Sequence, residues 1–435
     1  MKKVLIIGYF WPYKGGSARM LGLAKYLPEF GWEPTIITAP LNTRPDPKLN
    51  FKFVETRFDG DVFSFWRRLF GAMNFDTKKS ITEQIKQSAG SGERVSWADK
   101  IRTLYQEIFA YPDTEKKWLK PATVSAVEVA RKEKFDAILS VWPVTAHLVA
   151  KKIKQKLQIP WVADFPDPWS TNHFYPYGKI RKFFDTRLEK QTLKGADAIT
   201  TISKQWARRE EGLLGRDKVY DILNGFDPEQ FDHEEIPVSR KFSIVYTGKI
   251  YPGKQDPIKI LLAIRELLNE DKISADDLEI KFYGEKLAWL EAEIDRTDLG
   301  GVAKQYGPVS KQEALVKQYE AQILLLLGWE DQQETGVYPA KIFEYLIARR
   351  PILLTGGSAD EDLREVVAET GAGVSATKVA EIKKAVLNFY QEYKKNGVVV
   401  WRGDKEKTKK YSHKTMAQKF AAVFNGVIGK QNGTG

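Results

Sequence analysis

A chain of 435 residues with 68 lysines and arginines against 57 aspartates and glutamates, a formal charge of +11, is too long for one ordinary core and, at 43% hydrophobic content, too apolar to be disordered. It contains no cysteine and four histidines, which excludes disulfide frameworks, thiolate metal sites, iron–sulfur ligation and cysteine nucleophiles and makes an intracellular, metal-free protein the expectation. The basic excess suits a phosphate-bearing ligand, an anionic lipid or nucleic acid, and charge alone does not choose among them.

The opening MKKVLIIGYFWPYKGG holds an apolar run too short for a signal peptide, followed by aromatic, Pro and Gly residues, and reads as a first strand running into a turn. VLIIGYF, PTIIT, DAILSV, PWVADF and DAITTIS are the predicted strands of a first half, alternating with amphipathic segments such as 17–27 and 179–193. Apolar strands alternating with helices are the pattern of a doubly wound parallel sheet. The segment at about 51–121 interrupts it: it carries FSFWRRLFGAMNF, a GSGE stretch and no convincing strand, and is read as a helical insertion. After the turn dipeptide Asn224-Gly225, a polar stretch to Arg240 with Pro228 and Pro237 reads as a linker.

The cycle restarts with FSIVYTG, EIKFYG, AQILLLLG and PILLTG as strands and 256–268, 310–319 and 339–348 as helices. An amphipathic helix at 411–428 precedes a frayed GKQNGTG tail. No stretch approaches the ~18 uninterrupted apolar residues of a membrane-spanning helix. The expected organisation is therefore an α/β protein of two Rossmann-like, doubly wound parallel-sheet domains facing a cleft: 1–225 with the insertion, 226–405, and a C-terminal helix and tail at 406–435 able to pack back on the first domain.

Candidate chemistry sits on the turns after strands. Gly15 and Gly16 precede a helix start near Ser17, where free amides favour an anion and glycines let it approach; a tight strand-to-helix turn explains them equally well. Gly8 is too far away to complete GxGxxG, so no dinucleotide fingerprint is present. In YTGKIYPGKQDP, Gly248, Lys249, Gly253 and Lys254 leave the first strand of the second domain, where two ammonium groups can hold a diphosphate or simply form a solvated basic turn. In YPAKIFEYLIARRPIL, Pro339 opens a helix on which Lys341 and Glu344 share a face; the carboxylate can accept both hydroxyls of a ribose, or the two form a surface ion pair.

In PWVADFPDPWS, Asp164 and Asp167 emerge at a strand's carboxyl end as candidates for a general base or for orienting a hydroxyl, with turn formation beside proline as the alternative. His147 follows Pro143 in an early helix turn, and its packing beneath the sheet edge is the expectation. In the insertion, Trp66, Arg67, Arg68, Phe70 and Phe75 combine aromatic and cationic groups, suiting an anionic membrane surface or a lipid-linked acceptor as well as an internally packed helical subdomain.

The glycine-rich first loop, TTIS…VYDILNGFDPEQF, YTGKIYPGK, YGPVSKQEALVKQYEAQILLLL and PAKIFEYLIARRPIL occur in this order in a chain of this length. Together they resemble a GT-B glycosyltransferase of the retaining family-four type, and DFPDPW resembles the DFRDPW signature of one bacterial subgroup. The resemblance covers nearly the whole chain outside the insertion. It implies a cytoplasmic enzyme, peripheral at the inner membrane face, that moves a sugar from a nucleotide-diphosphate donor to a glycan or lipid-linked acceptor in cell-surface polysaccharide synthesis, without cofactor or metal. Lys249 and Lys254 match the basic pair at the donor diphosphate, the first usually arginine, and Glu344 matches the glutamate at the nucleotide ribose. Gly336 stands where the family's first glutamate falls, leaving Glu334 or the amides of 336–338 as its replacement. Pro166 stands near the family's usual histidine, leaving Asp164 or Asp167 for that task. An epimerase or a phosphorylase on the same architecture, or a non-catalytic carbohydrate binder, are the alternatives; nucleic acid is not expected, because the basic residues are dispersed among acids.

Overall fold

The computed structural model describes residues 1–9, 17–40, 51–58, 107–172, 175, 177–215, 219–229, 236–330, 335–357 and 362–432. They form two units, Met1–Asn224 with His413–Gly435, and Gly225–Ser412.

In the first unit the strands β1 (Lys2–Ile7), β2 (Trp32–Thr38), β3 (Lys52–Glu55), β4 (Ala137–Val141), β5 (Trp161–Phe165), β6 (Ala198–Thr201) and β7 (Val219–Asp221) make one sheet in the order β3-β2-β1-β4-β5-β6-β7. Every pairing is parallel. The helices are α1 (Ser17–Tyr26), α2 (Leu119–Lys132), α3 (Val144–Leu157), α4 (Lys179–Leu193) and α5 (Lys204–Leu214). Successive strand residues point to opposite faces, so alternate residues of β1 feed two cores. Leu5 and Ile7 pack with Trp118, Ala122, Ala126 and Val149 of one layer, and Val4 and Ile6 with Met20, Leu23, Phe420 and Phe424 of the other.

The second layer belongs partly to the far end of the chain. The C-terminal helix His413–Asn432 lies against α1, and the crossing is so close that a Cβ on Gly22 would meet the His413 ring at 2.3 Å. Glycine is what lets the two backbones approach.

The expectation of no strand within 51–121 is corrected. β3 pairs in register with β2, Thr35 opposite Lys52 and Thr38 opposite Glu55, and Trp118 Nε1 donates to Thr56 Oγ1 at 2.6 Å just beyond it. KFVE is a short, charged edge strand, which is how sheets end without inviting further pairing, and it carries no apolar run to recognise. The remainder of the expected insertion, with Trp66, Arg67, Arg68, Phe70 and Phe75, lies outside the described residues, as do Gly15 and Gly16.

The second unit repeats the plan with β8 (Phe242–Thr247), α6 (Ile258–Asn269), β9 (Leu278–Tyr283), α7 (Ala288–Arg296), β10 (Ala303–Gly307), α8 (Lys311–Glu320), β11 (Ile323–Leu327), α9 (Lys341–Ala348), β12 (Ile352–Thr355), α10 (Asp362–Thr370), β13 (Gly373–Ala376) and α11 (Val379–Asn396). The sheet order is β10-β9-β8-β11-β12-β13, again all parallel. Both units are thus Rossmann-like, and in each the strand order reverses direction beside the first strand, between β1 and β4 and between β8 and β11. Ligands of such sheets bind outside the carboxyl ends of the strands at that reversal. β7, β10 and β13 complete the sheets at or beside their edges and were not read from the sequence.

Candidate donor site at the carboxyl edge of the second unit

The loop leaving β8 starts with Gly248, whose φ of +110° is left-handed backbone that favours glycine. Its amide donates to the Tyr283 carbonyl at 2.6 Å, and a Cβ on the facing Gly284 would sit 2.2 Å from the Gly248 carbonyl oxygen. The loop is then tied across the reversal: Glu330 N, beyond β11, donates to the Lys254 carbonyl at 2.8 Å, and Gln255 Nε2 donates to Leu327 O at 2.9 Å. Lys249 extends over the Tyr251 ring, 5.2 Å from its centre, and Tyr251 packs against Trp329 at 5.3 Å. Gly248, Lys249 and Lys254 therefore stand on one loop fixed to the carboxyl ends of β8 and β11.

The helix α9 brings the other two predicted residues to the same strand end. Ile342, Phe343, Tyr345 and Leu346 are buried beneath it, Arg349 closes it in the left-handed conformation at φ 51°, and Pro351 follows. Tyr345 OH accepts from Thr247 N at 3.2 Å and fixes the helix to the end of β8. Lys341 lies over the Tyr246 ring with Nζ 3.8 Å from its centre and donates to Tyr246 OH, which in turn donates to the Lys249 carbonyl at 2.7 Å. Its ammonium also limits Gly248, where a Cβ would stand 3.3 Å from Nζ. Desolvation pushes the Lys341 pKa down to about 7, against a smaller opposing pull from Glu344.

Glu344 Oε2 accepts from Gln318 Nε2 at 3.1 Å, and the same amide donates to Thr247 Oγ1 at 2.8 Å. Gln318, wholly buried on α8, was not singled out in the sequence; nor was Tyr246. Such bridging groups look like ordinary helix or strand residues until their partners are known. Gly336 is present at φ +83°, whereas Glu334 lies outside the described residues.

In the first unit the two predicted aspartates part company. Asp164, in register between Val141 and Thr200, is wholly buried. Arg19 grips it with two hydrogen bonds, Nε to Oδ2 at 2.8 Å and Nη2 to Oδ1 at 2.9 Å, and Thr200 Oγ1 adds a third to Oδ1 at 2.6 Å. Arg19 also donates to Asn224 Oδ1 at 2.9 Å and stacks over Phe420 at 5.1 Å. A carboxylate held this way fastens α1 and the C-terminal helix to the sheet; the expectation that it faces a ligand as a base is corrected, because its oxygens are already occupied and shielded from solvent. Asp167, three residues on, is exposed on the following turn.

That turn is held from beneath. Glu189 of α4 accepts from Ser170 N at 3.1 Å and from its hydroxyl, and Glu210 of α5 accepts from Thr171 Oγ1 at 2.5 Å. Burial raises the pKa of both carboxyls, Glu189 well above the usual range with Glu210 adding to it. His147 is a core residue, as expected: Ser140 Oγ lies 2.8 Å from Nδ1, Phe165 stacks at 4.1 Å, and burial takes its pKa down to about 3. A shallow hollow lined by Lys2, Trp32, Asp136 and Asn425 sits at the opposite, amino edge of this sheet. Among the described residues no group of three histidine or carboxylate side chains is arranged to hold a metal, and no helix is long and apolar enough to cross a membrane.

Residues 14–220 match the family described as a Glycosyl transferase 4-like domain. No curated protein matches the chain. Among solved structures it is similar to the N-terminal domain of trehalose-6-phosphate phosphatase from Candida albicans, at TM-score 0.61, 12% identity and coverage of 98% of this chain and 97% of that one. It is similar to sucrose-phosphate synthase from Thermosynechococcus elongatus at TM-score 0.59 and 11% identity over 99% and 100% of the two chains. A lipopolysaccharide outer core galactosyltransferase, WaaB in its apo form, aligns at TM-score 0.54 and 10% identity over 99% and 100%. At such identity the likeness shows the fold alone, which is GT-B; with the family match it supports a GT-B glycosyltransferase.

Proposed function

We propose that the chain transfers a glycosyl group from a nucleoside-diphosphate sugar to a hydroxyl of a glycan or lipid-linked saccharide, with the donor held by the second unit. The observation that carries this reading is the convergence of Lys341, Glu344 and the Gly248–Lys249 backbone on the end of β8, at the reversal of a parallel sheet. Lys249, Lys254 and Lys341 take the two phosphates. As the sugar leaves, negative charge grows on the diphosphate, and fixed ammonium groups stabilise it electrostatically without a metal ion. Glu344, pre-oriented by Gln318, accepts the ribose hydroxyls. Asp167, exposed on the turn that Glu189 and Glu210 hold, is the carboxylate assigned to the acceptor side, while Asp164 acts only through Arg19. Retention follows from the family resemblance.

Thermal unfolding with nucleoside diphosphates tests the donor half: at ~100 times its dissociation constant, a ligand of the native state stabilises it by about 2.7 kcal/mol. Incubation with nucleotide sugars, with and without an acceptor, tests the transfer half. A glycosylated acceptor is the expected product; isomerised donor without acceptor marks an epimerase, and dependence on inorganic phosphate marks a phosphorylase. No stabilisation by any nucleoside diphosphate overturns the reading in favour of a carbohydrate binder.

A further inference from the structure

Beneath the turn after β5, two glutamates enter the interior of the first unit from different helices, Glu189 of α4 and Glu210 of α5, at 0% and 2% exposure. Each gives one oxygen to the turn. Glu189 Oε2 accepts from Ser170 N at 3.1 Å and from the Ser170 hydroxyl, and Glu210 Oε1 accepts from the next residue, Thr171 Oγ1, at 2.5 Å. The other oxygen of each, Glu189 Oε1 and Glu210 Oε2, is buried and has no hydrogen-bond partner. Among the described residues no cation is paired with either carboxyl. The buried cation of α4, Arg181, is committed to Asp185 Oδ2 at 2.9 Å and to the Ala110 and Pro112 carbonyls at 3.0 and 2.8 Å, and Asp185 also accepts from the Tyr175 hydroxyl.

Two ionised carboxylates are not stable in this setting, because each unpartnered oxygen would carry charge in a low-dielectric interior beside a like charge. One proton resolves it. Carried on Glu189 Oε1 and donated to Glu210 Oε2, it removes one of the two negative charges and gives both orphaned oxygens a partner in a single charge-assisted hydrogen bond. The groups facing Glu189 from its surroundings agree with that placement: Glu210 on α5 and Asp185, one turn earlier on α4, oppose its ionisation, while the Ser170 amide and hydroxyl favour it less strongly than burial disfavours it. So joined, the two carboxyls tie the turn to both helices at the carboxyl edge of the sheet, with Ser170 only three residues past the exposed Asp167. Loss of the proton would drive the pair apart and free the turn.

We propose that Glu189 and Glu210 share one proton and, so joined, are positioning residues that hold the Asp167 turn for turnover. The positioning role rests on the assignment of Asp167 to the acceptor side; the shared proton does not. Infrared difference spectroscopy of the full chain, wild type against Glu189→Gln at about pH 7, where exposed carboxyls are ionised, reads the proton directly: a protonated-carboxyl C=O band is expected in the wild type and absent from the variant. Urea unfolding across pH reads it again. A proton held by the folded chain and released on unfolding makes wild-type stability fall as pH rises above the ordinary carboxyl range, and in Glu189→Gln that slope is expected to be shallower by about one proton. Absence of the band, or equal slopes, overturns the shared proton. In Glu189→Gln the amide oxygen still accepts from Ser170 and the amide nitrogen still donates to Glu210, so turnover is expected to be retained. Glu189→Leu keeps neither bond and is expected to lose turnover at least tenfold with nucleoside diphosphate binding unchanged. Full turnover by a folded Glu189→Leu protein overturns the positioning role; should that variant not fold, Thr171→Val, which removes the bond on the Glu210 side, decides it by the same readout. A wild type that glycosylates no acceptor strikes the proposed function and the positioning role with it, while the infrared and unfolding outcomes still decide the shared proton.

Discussion

Each unit holds a cation at the carboxyl edge of its sheet, Arg19 buried and Lys341 half-buried, and the two are treated in opposite ways. Arg19 meets a full carboxylate with two hydrogen bonds, and that carboxylate is further satisfied by Thr200. Lys341 meets a tyrosine ring, a tyrosine hydroxyl and, more distantly, Glu344, whose Oε2 is engaged by Gln318. The first charge is cancelled where it stands. The second is left undercompensated, which costs the folded state and, on the proposed reading, is offset when the donor's phosphates complete the balance. A matched buried pair thus marks architecture, and the undercompensated, half-buried Lys341 is the position the proposed reading gives to the donor's phosphates.

The most damaging way to break this contrast is to strip Arg19 of its partner. Asp164→Ala leaves a guanidinium in the core, and loss of one member of a buried pair costs about 3–5 kcal/mol. Urea unfolding reads it. Arg19→Met together with Asp164→Leu is expected to recover most of the loss, since the pair as a whole is worth far less than the penalty for splitting it. An Asp164→Ala protein as stable as wild type would mean the pair is not structural.

Lys341 sharpens the comparison through pH. Its folded pKa lies near 7 against an ordinary 10.5, so between these values the unfolded chain binds more protons than the folded one. Stability from this residue therefore rises as pH climbs from about 7 to about 10.5 and is lowest below about 7. Anion binding runs the other way, because it needs the ammonium: nucleoside diphosphate affinity falls by up to about tenfold per pH unit above 7, with proton uptake on binding. In Lys341→Met both slopes are expected to flatten. Calorimetry in buffers of different ionisation enthalpy reads the proton, and binding without proton uptake at pH 8 would place Lys341 outside the site.

Smaller again is Glu344→Ala. Hydrogen bonds to a charged group contribute about 1.5–3 kcal/mol, so nucleoside diphosphate affinity is expected to fall by roughly ten- to a hundredfold, while the fold, which uses this carboxylate through Gln318, is nearly unaffected. Titration with a ribose and a 2′,3′-dideoxyribose diphosphate separates the roles: the variant is expected to lose the discrimination between them, and unchanged discrimination would remove Glu344 from the ribose.

The same contrast explains what the sequence revealed. β1, β5, β8, β11 and β12 were legible because central parallel strands are buried on both faces and spell continuous apolar runs, as ILLLL does at Ile323–Leu327. KFVE, VYD, AKQYG and GVSA were not, because edge strands are short and partly polar. Lys249, Lys254, Lys341 and Glu344 could be placed near one strand end from the sequence because loop position and helical spacing are local properties. Arg19 and Gln318 were missed because what defines them is a partner 145 or 71 positions away. Asp164 was misjudged for that reason too: a carboxylate at a strand's end reads the same whether it faces a ligand or a distant arginine.

Asp167 completes the comparison inside one motif. It stands three residues from Asp164 in DFPDPW, yet is exposed where Asp164 is buried. Replacing an exposed turn carboxylate with its amide keeps the turn-forming hydrogen-bond geometry, so Asp167→Asn is expected to change stability by no more than ~0.5 kcal/mol. On the proposed reading its effect falls on turnover, with nucleoside diphosphate binding intact. Full turnover would take Asp167 out of the acceptor side, and an unfolding free energy as low as that of Asp164→Ala would show that burial does not separate the two aspartates after all.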